Sequence, residues 1–338
     1  MRAFVVTGPH ESSVLEVSAP HAGVGQVVVD VARVGVCGTD VEFFTGEMAY
    51  LHQGHVSFPL RLGHEWCGTV TALGDGVDGS WLGRRVVGDT MLGCGHCRRC
   101  VRGNPWVCAH RAEVGIRGGV HGALAEQLAV PASSLYGLPD AIDDTAGALI
   151  EPGGNALRAS LATGAADGDR LLILGTGTIG LLAALFAQTR GVEVHLVGQD
   201  ESSLALAATM GFAGTWTHDS RPTLPWDAVI DATNHASMPA LAVDLVEPSG
   251  RVVFIGLSGT PSDVDTRTVA LKDVTTVGIL GGSAGLGGTI SAYAAGDVDP
   301  RPLVAATVAL DQTGAVLAGQ RPGASSLAAP KFHIDPRT

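Results

Sequence analysis

Residues 170–174, Arg-Leu-Leu-Ile-Leu, run directly into Gly175-Thr176-Gly177-Thr178-Ile179-Gly180 and then into the Ala/Leu-rich stretch 181–187. A Gly-x-Gly-x-x-Gly motif is weak alone, but between a strand pattern and a helix pattern it has the setting that a dinucleotide-binding turn requires. Gly175 permits the tight turn, Gly177 lets a pyrophosphate approach the backbone, and Gly180 lets the helix close on the strand. The first amides of the helix, at Thr178 and Ile179, then face the anion. Further strand patterns at 193–197, 228–231 and 252–255 alternate with helix patterns at 179–189, 201–210 and 236–245. This alternation predicts a Rossmann-type, doubly wound parallel α/β sheet.

The rest of the chain reads differently. Strand patterns at 3–7, 26–35, 66–73 and 85–87, broken by Gly, Pro and Asp, predict a β-rich first domain ending near residue 150. At 338 residues two domains are expected. The late alternating segment 331–334 is expected to return to the first domain. Hydrophobic residues make up 46% and charged residues 16%, enough for a sizeable core. The formal charge of −12 repels nucleic-acid phosphates and anionic bilayers, so neither is an expected partner. No apolar run reaches the roughly 18 residues of a membrane span and no leader pattern opens the chain, so a soluble cytoplasmic protein is expected.

Four of the six cysteines follow the spacing Cys94-x2-Cys97-x2-Cys100-x7-Cys108. Four thiolates round one point form a closed structural zinc site; an iron–sulfur cluster is the competing reading. His96 is expected in a solvent-facing loop, and Arg98, Arg99 and Arg102 can offset the negative charge of the site. Cys67 is read as core packing.

The second strand of a Rossmann unit commonly ends in an acid that grips the ribose 2′-hydroxyl of NAD. Here it ends at Gly198, followed by Gln199 and Asp200. Gly198 removes repulsion against a 2′-phosphate, which leans the reading toward NADP, although no Arg or Lys follows it to bind that phosphate and Asp200 can reach a hydroxyl.

Upstream lie Cys37-Gly38-Thr39-Asp40 and Gly63-His64-Glu65, and ahead of the dinucleotide turn lies Glu151-Pro152. The order Cys-Gly-Thr-Asp, Gly-His-Glu, four-cysteine knuckle, Glu-Pro and Gly-x-Gly-x-x-Gly resembles the zinc-dependent medium-chain dehydrogenases, along essentially the whole chain. Stretches such as LGHEWCGTV and LPDAIDDTAGALIEP look most similar to the polyol, sugar and cyclitol dehydrogenases. The resemblance implies a GroES-like catalytic domain at 1–150, a Rossmann domain at 151–284, and a return to the catalytic domain at 285–338. It implies two zinc ions per chain, the catalytic one on Cys37 and His64 with Glu65 and Glu151 as exchanging ligands. It also implies NAD or NADP, and a homodimer or homotetramer. One thiolate, one imidazole and a carboxylate leave an open position on zinc, where an alcohol oxygen can bind and lose its proton while the carbinol carbon releases hydride to nicotinamide. Thr39 is then a proton relay and Asp40 the carboxylate behind the histidine.

The chain departs from its relatives in places. Sorbitol and threonine dehydrogenases resemble one another in Cys-Gly-x-Asp-x-His, whereas Glu42 stands at the last position here, as in the glucose dehydrogenases. Those sugar enzymes also resemble this chain at Glu113-Val114-Gly115-Ile116, which implies that Glu113 accepts a substrate hydroxyl and that Glu42 lines the cleft. Gly153-Gly154-Asn155 replaces a Leu-Ala/Ser-Val type sequence. Two glycines cost a helix about 1 kcal/mol each, so room for a bulky polar substrate or close backbone approach is the expected compensation, with Asn155 near the nicotinamide or substrate. The expected activity is hydride transfer between a polyol, sugar or cyclitol secondary alcohol and NAD(P). A simple secondary-alcohol or amino-alcohol dehydrogenase is one alternative, and a catalytically silent binding protein on the same fold is another.

Overall fold

The computed structural model describes residues 1–324 and 329–338. Six strands form a parallel sheet in the order Gly214–Thr217, Glu193–Gly198, Arg170–Leu174, Trp226–Asp231, Val246–Phe254 and Thr275–Gly278. In the central strand, Leu171 and Ile173 face one apolar core while Leu172 and Leu174 face another. A continuous apolar run is what a strand covered on both faces requires. The helix Thr178–Gln188 starts directly after the glycine turn.

The helix pattern at 201–210 is realised in two pieces, an α-helix at Glu201–Leu204 and a 3-10 turn at Ala207–Thr209. Leu204 and Ala207 are both buried, and a spacing of three puts residues on one face of the tighter 3-10 helix.

The first domain is built on a largely antiparallel sheet. Its path runs Val304–Ala309, Lys331–Asp335, Gln26–Gly35, Glu65–Leu73, Arg85–Gly88 and Leu135–Gly137, with Gln127–Pro131 also pairing with Gln26–Gly35. The late strand thus pairs with Gln26–Gly35, with His333 opposite Gly35. Glu65 is the other neighbour of Gly35. Three segments far apart in sequence therefore meet where Gln26–Gly35 ends.

Between the two sheets lies the helix Ile150–Ala162. The helix Leu286–Ala295 packs on it, and Tyr293 stacks parallel to Phe186 with ring centroids 6.1 Å apart. The chain re-enters the first sheet only at Val304–Ala309. Among the described residues no helix is long and apolar enough to cross a membrane.

Candidate active site

Cys37 ends the exit from Gln26–Gly35 and caps the helix Gly38–Thr45. Asp40, in the first turn, is fully buried and accepts from the Cys37 amide at 2.9 Å and the Gly63 amide at 3.2 Å. One carboxylate thereby ties together the two segments that carry Cys37 and His64. Gly63 has φ +97°, and a Cβ there would sit 2.8 Å from the Leu124 amide nitrogen, so the backbone that presents His64 is built for glycine. His64 Nδ1 stands 3.5 Å from Asp40 Oδ1 and makes no hydrogen bond. Burial pushes the Asp40 carboxyl up, but the His64 charge and the two amides outweigh it and hold the group below its ordinary range.

Cys37 Sγ, a His64 ring nitrogen and a Glu65 carboxylate oxygen all lie within 4.8 Å of one another. One thiolate, one imidazole and one carboxylate are chemically suited to zinc, and the unbonded buried ring nitrogen behind them fits a histidine oriented by Asp40. The Glu65 carboxylate is already engaged, however. Both of its oxygens accept from Lys331 Nζ, at 2.8 and 2.7 Å, and the same ammonium donates to Val36 O at 2.9 Å. Lys331 is only 3% exposed. Burial lowers its proton affinity, yet the Glu65 and Cys37 charges more than reverse this. A Cβ at residue 35 would strike the Glu65 carboxylate, so Gly35 is needed for this pair. Sequence reading placed residues 331–334 on a strand but did not single out Lys331. The alternation Lys331-Phe332-His333-Ile334 puts the lysine on the polar face, so nothing in the local sequence marked it.

Glu151 is buried in the first turn of Ile150–Ala162, and Asn155 Nδ2 donates to its backbone oxygen at 3.2 Å and its Oε1 at 3.1 Å. Burial first, then the Glu65 charge, push its carboxyl up to about 7 against the opposing pull of His64. Its oxygens lie outside the 4.8 Å group formed by Cys37, His64 and Glu65. Thr39 and Glu42 lie half-buried on the helix after Cys37. Burial and the Glu47 charge raise the Glu42 carboxyl.

Glu113 is buried and accepts from Arg111 Nε at 2.7 Å and from the Tyr50 hydroxyl at 3.4 Å, while Arg111 Nη2 also donates to Tyr50 at 3.0 Å. Arg111 and Tyr50 were not anticipated from sequence. The Gly153-Gly154 pair offers no substrate room. A Cβ at 153 would meet Tyr293 Oη at 2.5 Å and Thr289 Cγ2 at 2.6 Å, and one at 154 would meet Gly282 O at 2.8 Å. Of the two expected compensations, close backbone approach is the one realised, by the segment 282–293.

In the cysteine knuckle, Sγ–Sγ separations are 3.6 Å for Cys97–Cys100, 3.7 Å for Cys97–Cys108 and 4.0 Å for Cys94–Cys100. Tetrahedral zinc with Zn–S bonds of about 2.3 Å sets sulfurs roughly 3.8 Å apart, so the four residues fit that ion. A Cβ at residue 93 would lie 2.8 Å from Cys100 Sγ. His96 is exposed, as are Arg98, Arg99 and Arg102. Cys67 is fully buried away from this knuckle, donates to Asp144 O at 3.3 Å, and burial pushes its thiol up.

At the dinucleotide turn Gly175 has φ +105°, a Cβ at Gly180 would strike the Gly175 carbonyl, and the space beside Gly177 is open. Gly177 caps the helix whose first residues are Thr178 and Ile179. Asp200 is turned into its own helix, where its Oδ1 accepts from Ser202 Oγ at 2.7 Å and the Ser203 amide at 2.9 Å. Those bonds lower its carboxyl pKa. The neighbouring strand pairs Thr217 with Gly198, and Arg221 follows four residues later. Arg221 Nη1 is buried and has no hydrogen-bond partner among the described residues.

Residues 23–140 match the alcohol dehydrogenase GroES-like domain family and residues 178–295 the zinc-binding dehydrogenase family. An L-threonine 3-dehydrogenase of Idiomarina loihiensis is 31% identical over 279 residues, covering 79% of this chain and 80% of its own length. A zinc-binding dehydrogenase of Sinorhizobium meliloti bound to NADP superposes with a TM-score of 0.89 at 25% identity, over 99% of each chain. The galactitol-1-phosphate dehydrogenase of Escherichia coli does so with a TM-score of 0.87 at 23% identity, over 99% of this chain and 100% of its own. With a GroES-like domain, a parallel nucleotide-binding sheet and thiolate–imidazole chemistry between them, the chain belongs to the zinc-dependent medium-chain alcohol and polyol dehydrogenases, oxidoreductases that use a nicotinamide dinucleotide.

Proposed function

We propose that this dehydrogenase oxidises a secondary alcohol on a polyol, sugar or cyclitol, or reduces the matching ketone. The observation that carries the reading is the buried polar network of Tyr50, Arg111 and Glu113, tied to the His64 segment by the Val114 amide on Thr90 O and the Thr90 hydroxyl on His64 O, a source of donors and acceptors for substrate hydroxyls. The amino-alcohol reading draws support from the threonine dehydrogenase relative, but Glu42 stands where those enzymes carry histidine.

In this reading Cys37 and His64 hold a zinc ion, Glu151 exchanges with substrate beside it, and Cys94, Cys97, Cys100 and Cys108 hold a second. Bound there, zinc would supply an electrophile that lowers the pKa of an alcohol, and a bound nicotinamide would supply the acceptor for the hydride of the carbinol carbon. Thr39 takes the hydroxyl proton toward solvent, Asp40 fixes the His64 ring, and Asn155 orients the Glu151 carboxylate. Gly175, Gly177, Thr178, Ile179 and Gly180 receive the pyrophosphate.

The preferred cofactor in this proposal is NADP. Asp200 is occupied as a helix cap, Gly198 presents no acid, and the unpartnered Arg221 nitrogen follows the adjacent strand. The chain is proposed to form a homodimer or homotetramer in the cytoplasm. The outer edge strand Thr275–Gly278, with Leu271 74% exposed just before it in sequence, supports such a contact.

A panel of polyols, cyclitols, amino alcohols and simple secondary alcohols, assayed by nicotinamide absorbance with each cofactor, tests the reading. Polyols or cyclitols should give the highest kcat/KM. Faster turnover of 2-propanol or threonine than of every polyol would overturn it.

A further inference from the structure

A cavity of about 470 Å³ lies between the segments 51–61 and 115–121. Arg61, Arg117, His55 and His121 line it, and no Asp or Glu does, in a chain of net charge −12. Seven other arginines, at 2, 33, 85, 111, 170, 301 and 337, each hold a carboxylate. The half-buried Arg61 and Arg117 guanidinium groups have no ion-pair partner among the described residues. Two half-buried guanidinium groups on one cavity, with no carboxylate beside them, favour an anion there.

The cations are also positioned. Arg117 lies over the Tyr50 ring at 5.3 Å from its centroid, and His55 meets the same ring edge-on at 5.5 Å. The Tyr50 hydroxyl is anchored by Arg111 at 3.0 Å. Burial and the Arg61 charge both lower the proton affinity of His121, which places those two side chains within electrostatic reach of each other.

The cavity adjoins the metal cluster. Arg61 precedes His64 by three residues, a reach of at most about 11 Å between Cα atoms. Gly115, in the cavity wall, is so near that a Cβ there would lie 2.8 Å from Gly63 O. Arg117 and Glu113 exchange backbone hydrogen bonds, both at 2.9 Å.

We propose that this cavity is an anion subsite for a phosphorylated end of the substrate, so that the true substrate is the phosphate monoester of a polyol or cyclitol. The inference rests on the dehydrogenase reading above. Two arginines suit a dianion in fork geometry better than a single carboxylate.

The test pairs each polyol and cyclitol with its phosphate monoester and with its carboxylate analogue, on zinc-loaded parent, Arg61→Gln, and Arg61→Gln/Arg117→Gln proteins. Binding of inorganic phosphate is measured separately by calorimetry, and cofactor binding reports folding. A phosphate ester should exceed its parent alcohol in kcat/KM by about 10- to 100-fold, with the double variant erasing the advantage and leaving the neutral alcohol unchanged. Inorganic phosphate should compete with the ester and lose its binding in the double variant. Equal kcat/KM for ester and alcohol, preference for the carboxylate, or phosphate that binds without competing would each overturn the subsite. Oxidation of neutral polyols alone sinks the subsite and leaves the dehydrogenase standing. Phosphate binding that needs Arg61 and Arg117, without turnover of any alcohol or ester, sinks the proposed polyol activity and supports an anion site alone.

Discussion

The Lys331–Glu65 pair shows how much a single side chain can settle. A carboxylate bound through both oxygens to a buried ammonium is held in place beside the Cys37 sulfur rather than left free to swing. Removing one member of a buried pair leaves the other uncompensated, at about 3–5 kcal/mol. Lys331→Met should therefore lower stability by that amount in chemical denaturation, and the double variant Lys331→Met/Glu65→Gln should recover at least half. A single variant as stable as the parent would contradict the pairing. The motifs Gly-His-Glu and Cys-Gly-Thr-Asp are contiguous and thus visible in sequence. Lys331 acts from 266 residues away, and only strand pairing through Gly35 brings it to Glu65. Gly198 illustrates the same limit. Replacing it by Asp looks like a simple route to NAD preference, yet a Cβ there would meet Ser203 Oγ at 2.6 Å and Leu204 Cδ2 at 2.9 Å. Arg221→Ala is the cleaner probe, and should cut the ratio of kcat/KM for NADP over NAD by about tenfold, the loss of one charged hydrogen bond. A parent protein that prefers NAD would remove the basis for that expectation.

Among the elements, strands were the easiest to anticipate, because alternating or continuous apolar runs state how many faces are covered. The patterns at 26–35 and 170–174 correspond to the strands Gln26–Gly35 and Arg170–Leu174. Helices depended more on partners absent from the local sequence. In Ile150–Ala162 two glycines oppose local helix propensity, and packing against Leu286–Ala295 explains them. Gly153→Ala consequently sets a propensity gain of about 1 kcal/mol against a collision with Tyr293, whose hydroxyl donates to Leu149 O at 3.3 Å. The collision should win, with a net loss of about 1–3 kcal/mol in thermal or chemical unfolding. A stabilised Gly153→Ala variant would show that the two helices have slack between them.

At the scale of the whole molecule, the strand Lys331–Asp335 lies between Val304–Ala309 and Gln26–Gly35 in the first sheet and buries His333 completely, with neither ring nitrogen hydrogen-bonded among the described residues. Burial foremost, then the Lys331 and Arg33 charges, push its pKa down to about 3 from 6.5. The folded chain therefore keeps this ring neutral where the unfolded chain protonates it. Between pH 6.5 and about 3 the unfolded state binds the extra proton, so stability is full above pH 6.5 and falls as pH drops through that window. The contribution of this residue approaches about 1.4 kcal/mol per pH unit. His333→Leu should flatten the pH dependence relative to the parent, and unchanged slopes would assign the acid sensitivity elsewhere.

The central claim is that two separate thiolate-based metal sites serve two ends, one the fold and one the chemistry. Elemental analysis of metal per chain, run side by side on the purified parent and on Cys37→Ser, tests it most directly. The account predicts two zinc ions in the parent and one in a folded Cys37→Ser protein that has lost alcohol-dependent reduction of the nicotinamide. Iron, a single zinc in the metal-replete parent, or two retained zinc ions in Cys37→Ser would contradict it.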